Sequence, residues 1–162
     1  MAKAVPSGFR TATPHLTIEG ADDAISFYKK AFGAKPMGKM LARDGKRLMH
    51  AMIKIGDSVI MLVDAFPEWG SKGPKTLGGS PVTIHLYVKD CDALFKKAVK
   101  AGATVVMPMA DMFWGDRYGE VIDPFGHRWA IATHKKDLSR AEMAKAAKAA
   151  MAQMASSPKP RQ

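Results

Sequence analysis

The sequence predicts an α+β fold: two β-α-β-β-β modules, followed by a helical C-terminal extension. Three observations carry this prediction. The chain repeats itself at an offset of about 70 residues. Each repeat opens on a strand-like run that passes into a helix. The segment after each helix is strand-like and punctuated by turns.

The repeat emerges when TPHLTIEGADDAISFYKKAFGA (13–34) is set against TIHLYVKDCDALFKKAVKAGA (83–103). Thr-x-His-Leu opens both, at Thr13, His15 and Leu16 and at Thr83, His85 and Leu86. An aliphatic residue follows at Ile18 and Val88, then an acidic start at Asp22 and Asp23 or Asp90 and Asp92. Each unit closes on Gly-Ala, at Gly33 and Ala34 and at Gly102 and Ala103. The β-branched, alternating openings predict strands. The Asp-led runs predict helices whose closing glycines take the left-handed backbone past the last turn.

Three more strands are predicted per half. In the first they fall at about 36–43, 47–55 and 58–64, with Arg43-Asp44-Gly45 and Gly56-Asp57 as turns. In the second they fall at about 104–109, 117–122 and 128–133. There Asp123-Pro124-Phe125-Gly126 reads as a β-turn, with Pro second and Gly fourth. Gly56 matches Gly126 at the offset of 70.

The predicted domain thus spans about 10–135: module 1 at about 10–65, a Gly/Pro-rich linker at 66–81 too irregular for either element, and module 2 at about 82–135. One helix covers only one face of a four-stranded unit. The open faces must close on each other or on a partner, and the space between them becomes a cavity. Residues 136–162 form an Ala/Lys-rich extension. Ser139 and Glu142 make a capping box, Met143, Ala147, Met151 and Met154 a soft apolar stripe, and SPKPRQ (157–162) is expected to be disordered.

A chain of 162 residues is one ordinary domain. The start, MAKAVPSGFR, has no signal-like apolar run, no stretch is apolar enough to span a bilayer, and the single cysteine, Cys91, excludes a disulfide framework. A cytoplasmic protein is expected. Net charge is +10, but residues 135–162 carry seven Lys/Arg against Asp137 and Glu142, and the body from Thr11 to His134 only +3. Nucleic-acid binding by the body gains little from that charge, and contact through the basic tail is the weaker alternative.

The paired modules, the AISFYKKAFGA helix and the DPFGHRW turn resemble the vicinal oxygen chelate superfamily, which holds the glyoxalases, bleomycin and fosfomycin resistance proteins and extradiol dioxygenases. HLYVKDCDALFKKAVKAGA and DMFWGDRYGEVIDPFGHRWAIATH are similar to tracts of its uncharacterised subgroup associated with phosphonate operons. The resemblance covers about residues 10–135 and implies a dimer with two modules around a concave sheet. It also implies, for the superfamily's enzymes, a divalent metal held by one residue from the first and last strand of each module. Carried onto this sequence, those positions are Thr13, Ile60, Thr83 and Ala130, which make no carboxylate/imidazole site.

The expected function is therefore small-molecule binding in the inter-module cavity, without a cofactor, by a homodimer. The alternative is a lyase, isomerase or dioxygenase with a displaced site. His15 and His85 lie two residues beyond the threonines and so share their face, and with Glu120 they form a two-His-one-carboxylate set suited to zinc, iron, nickel or manganese. Glu120 would move the proton. His50 pairs with Glu120 at the offset of 70 and joins the pocket set. Against this stands the plainer reading that His15 and His85 hydrogen-bond within packed strands.

FWGDRYG (113–119) is expected to lay Trp114 and Tyr118 over the cavity mouth, with Arg117 offering a fork to an anion, or else to pack as a turn in which Asp116 and Arg117 pair. In DPFGHRW, Trp129 is expected in the core and His127 exposed. Cys91, beside Asp90 and Asp92, is no nucleophile.

Overall fold

The computed structural model describes residues 2–156; the expectation for 157–162 lies outside them. Module 1 runs β1 (His15–Ile18), α1 (Ala21–Phe32), β2 (Lys35–Leu41), β3 (Leu48–Ile55) and β4 (Ser58–Asp64). Module 2 runs β5 (Thr83–Tyr87), α3 (Cys91–Ala101), β6 (Thr104–Asp111), β7 (Asp116–Ile122) and β8 (Arg128–His134). The linker is less irregular than its composition suggests. It holds a 3-10 turn at Pro67–Trp69 and one helical turn, α2 (Pro74–Leu77), opened by Pro74 and closed by Gly78.

Each module folds into its own four-stranded mixed sheet, ordered β1-β4-β3-β2 and β5-β8-β7-β6. The first strand pairs parallel with the fourth, and the other neighbours pair antiparallel. Both closing glycines take the left-handed conformation, with φ of 67° at Gly33 and 119° at Gly102.

The helix starts are held in equivalent ways by the last strands. Gly20 gives α1 no capping side chain of its own. Asp64 at the end of β4 supplies it, accepting from the Gly20 and Ala21 amides at 3.0 and 2.9 Å, while its other oxygen takes the Leu48 amide at 2.6 Å. In module 2, Thr133 of β8 accepts from the Cys91 amide at 3.0 Å, and α3 also has its own cap in Asp90.

Both helices lie on one side of their sheets and pack on each other, so the two modules share one core. Tyr28 and Phe32 of α1 meet Trp129 of β8 at ring-centre distances of 5.1 and 4.6 Å. Asp123 sits buried among them. One of its oxygens accepts from Tyr28 Oη (2.7 Å) and Trp129 Nε1 (2.8 Å), the other from the Phe125 and His127 amides (2.9 and 3.0 Å). Burial, and then the neighbouring carboxylate, pushes the Tyr28 phenol well above its usual value. The expected β-turn closes through Gly126 N to Asp123 O. His127 is not exposed as expected: its ring is buried, with Nε2 3.1 Å from the Thr17 carbonyl of β1.

The ladders correct the constant offset of 70. His15 lies opposite Met61 and Met61 opposite Met52, whereas His85 lies opposite Ala130 and Ala130 opposite Glu120. The turn between β3 and β4 has two residues, and that between β7 and β8 has five. Counting at a fixed offset therefore slips across the hairpin. Met61, not Ile60, is the structural equivalent of Ala130; Met52, not His50, that of Glu120; and His50 that of Tyr118.

The extension forms α4 (Arg140–Ser156), and its capping box closes between Ser139 and Glu142 as expected. No residue of α4 is buried, and Met151 and Met154 are 66% and 71% exposed. The far end of its stripe is therefore open, while Met143 and Ala147 are half-buried. Among the described residues no helix is long and apolar enough to cross a membrane.

Candidate functional site

Opposite the helices, each sheet has an open face. Strand alternation sorts the side chains. On β1, Leu16 and Ile18 enter the core, while His15 and Thr17 face away. On β7, Val121 is in the core, while Tyr118 and Glu120 face away.

In module 2 the open face has two adjacent rows. One reads His85, Ala130, Glu120, Met107 and the other Tyr87, Ala132, Tyr118, Ala110. The alanines make a floor, both buried, between ring-bearing side chains on β5 and β7. The His85 ring lies 4.5 Å from Tyr87 and 5.7 Å from Tyr118, and Tyr118 lies 5.7 Å from Trp114. Behind the rings, the buried Asp116 accepts from Tyr87 Oη (2.8 Å) and Trp114 Nε1 (3.1 Å), and it pairs with His134 Nδ1 (2.7 Å). The ring wall is therefore held before any ligand arrives.

Glu120 accepts from Arg128 Nε at 2.6 Å and from Tyr118 Oη at 3.4 Å. A carboxylate taken up by a guanidinium is a poor general base. Arg117 does not reach this face. Its parity along β7 sends it to the helix side, where Nε and Nη2 take both oxygens of Asp92 (2.6 and 2.8 Å) and Nη1 takes Asp111 (3.2 Å). For the same reason it makes no pair with Asp116.

Between β1 and β5 runs a groove of about 700 Å³ lined by residues that include His15, Thr17, Thr83, His85, Lys72 and His127. Thr13 also lines it, but stands before the strand with its hydroxyl on the Arg10 carbonyl. His50 lies on the open face of β3, its ring 5.7 Å from His15. Burial, and then His50, hold the His15 pKa below its usual value. Neither ring, nor that of His85, is held by a hydrogen bond among the described residues, unlike His127 and His134. The hydrogen-bonded packing considered for His15 and His85 is absent there.

The standard metal positions do not fit a divalent ion. Thr13, Thr83 and Ala130 offer at best neutral hydroxyls, Ile60 enters the core, and its true equivalent, Met61, brings a thioether. Among the described residues no three His, Cys, Asp or Glu side chains converge to hold a metal. His15, His85 and Glu120 are not drawn into a triad, because Glu120 leans to Arg128.

His134 also touches Asp137, just before α4, through Nε2 at 3.0 Å. The Asp116 pair, then Asp137, raise its pKa. Burial opposes the ionised Asp116, but its bonds from His134, Tyr87 and Trp114 hold its pKa below the usual value. The stability that the imidazolium contributes is fully present below the ordinary histidine value of about 6.5 and is lost as pH rises through the raised one. Urea midpoints taken from about pH 5 to pH 9 should therefore show a downward slope in the wild type that His134→Gln lacks. A gap between the two that widens with rising pH would refute this.

Tyr87, Ala132, Asp116, Arg128 and His134 were missed as site residues. A signal was present for Tyr87, two residues beyond His85, and for the small residues alternating at 130 and 132. The Asp116 hub had none, since its partners come from β5, β8 and the 112–116 turn.

Residues 11–131 match the family model of the Glyoxalase/Bleomycin resistance protein/Dioxygenase superfamily. The chain is 47% identical over 134 residues to the protein Rv0887c of Mycobacterium tuberculosis, covering 81% of this chain and 78% of that one. The X-ray structure of the Arabidopsis thaliana gene product At5g48480 superimposes with a TM-score of 0.61 at 31% identity, over 78% of this chain and 99% of that one. The fosfomycin resistance protein FosX of Mesorhizobium loti shares the fold, with a TM-score of 0.55 at 15% identity over 76% and 91%.

Proposed function

From the glyoxalase/bleomycin resistance protein/dioxygenase superfamily, to which this chain belongs, we propose a protein that binds a small, flat organic molecule between its modules without the standard metal. The observation that carries this reading is the alanine floor of module 2, Ala130 and Ala132 set between His85, Tyr87, Tyr118 and Glu120. The rings that cover these buried alanines, with Tyr87 held in place by Asp116, offer a ligand a stacking surface at little entropic cost. A polar end of the ligand reaches the groove, where His15, Thr83 and His85 present uncommitted donors and acceptors.

A second copy of the chain covers the open faces. Met37, Met40 and Leu41 on β2, Val105, Val106 and Met107 on β6, and Tyr87 on β5 are exposed apolar side chains that favour such a homodimer. The protein works in the cytoplasm.

The test is a screen of aromatic small molecules by fluorescence quenching and calorimetry, with a metal chelator present. Binding should occur in the wild type and fall at least about tenfold both in Tyr118→Ala and in Ala130→Leu, whose larger side chain displaces the rings that cover it. Equal affinity in all three, with all three folded, would sink the proposal.

A further inference from the structure

We propose that the open face of the first sheet binds one soft monovalent cation, copper(I) or its redox-inert analogue silver(I), through the imidazoles of His15 and His50 and the thioether of Met61, with Met52 alongside.

The sheet register supplies the ligand set. His15, Met61 and Met52 lie opposite one another across β1, β4 and β3. Directly opposed side chains across an antiparallel pair, as Met61 and Met52 are, stand about 4.5–5.5 Å apart at Cβ. His50 is two residues from Met52 on the same face and lies opposite Met40 of β2. Two imidazoles and up to three thioethers therefore share one small area of sheet, and the rows that hold them contain no carboxylate.

The ring spacing suits a shared ion. An imidazole nitrogen sits about 2 Å from a bound metal. Two rings on one ion then have centres roughly 5–6 Å apart when the angle at the metal is about 110–150°. The His15 and His50 centres are 5.7 Å apart. Neither ring makes a hydrogen bond among the described residues, so neither gives one up on binding.

The donor chemistry selects the metal. Thioether sulfur favours copper(I) over zinc, and a set without carboxylates gives magnesium, calcium or manganese nothing to hold. Module 2 lacks the site: its equivalents of Met61, Met52 and His50 are Ala130, Glu120 and Tyr118. Duplication supplied both histidines of the first strands, and the methionines make only one face soft. The inference shares only His15 with the organic-ligand reading, which is tested with metals chelated.

The experiment is an anaerobic titration of the full chain with copper(I) against a colorimetric copper(I) chelator, with silver(I) titrations followed by NMR of 13C-methyl methionines. One ion per chain should bind, with the Met61 and Met52 methyls shifting and zinc failing to compete. Affinity should fall at least about tenfold in Met61→Leu, a near-isosteric change, and at least about 100-fold in His15→Ala/His50→Ala. The α4 variant Met143→Leu/Met151→Leu/Met154→Leu should bind like the wild type. Three outcomes overturn the site: methyl shifts confined to α4, unchanged affinity in Met61→Leu, or zinc bound as tightly as copper(I). The methyl shifts are read on the wild-type chain, so a variant that fails to fold does not blunt the test.

Discussion

Asp123→Ala is expected to destabilise the protein by roughly 3–5 kcal/mol, a fall in Tm on the order of 10–15 °C. The change strands four donors in the core: the Tyr28 hydroxyl, the Trp129 indole and the amides of Phe125 and His127. None of them has water to turn to, because the residues around them are buried. The loss reaches both modules, since Tyr28 belongs to the first and Trp129 to the second. Tyr28→Phe removes one donor and leaves the carboxylate three others, so it should cost only about 1 kcal/mol. Urea unfolding of the three proteins decides the matter. A cost below about 1 kcal/mol for Asp123→Ala would mean that the core reorganises around the gap.

Asp64→Ala is expected to cost roughly 2–4 kcal/mol, and Asp64→Asn nearly as much. Asp64 uses both oxygens, one for the Gly20 and Ala21 amides and the other for Leu48. An amide side chain must point its NH2 at one of those groups, so it cannot replace the carboxylate. The equivalent change in module 2, Thr133→Val, should cost only about 1 kcal/mol. There Asp90 still caps α3 through the Ala93 amide. Equal losses at the two positions, measured by denaturant unfolding, would show that the last strand is not what holds α1.

This contrast shows what a linear reading can and cannot recover. Asp90 is legible as a cap because it immediately precedes its helix. Asp64 caps from 43 residues away and reads in sequence only as the end of an apolar strand. The candidate site divides in the same way. His15, His85, Tyr118 and Glu120 fell on the open face because strand parity is local and survives without coordinates. On that same parity Arg117 is one position out of phase and is drawn away from the open face to Asp92 on α3.

The sequence by itself determined the duplicated β-α-β-β-β plan, the glycine-closed helices and the Asp123–Gly126 turn. All of these depend on residue type, spacing of a few positions, or one offset. Only the tertiary structure decided which residues of the two halves are equivalent, because the hairpin of module 2 is longer and shifts the register past it. It alone decided that Glu120 is committed to Arg128, that His127 is buried against β1, and that Asp116 gathers Tyr87, Trp114 and His134. Those are contacts between strands, and they follow from how the ladders align and which faces the helices cover, quantities that no local stretch of the chain contains.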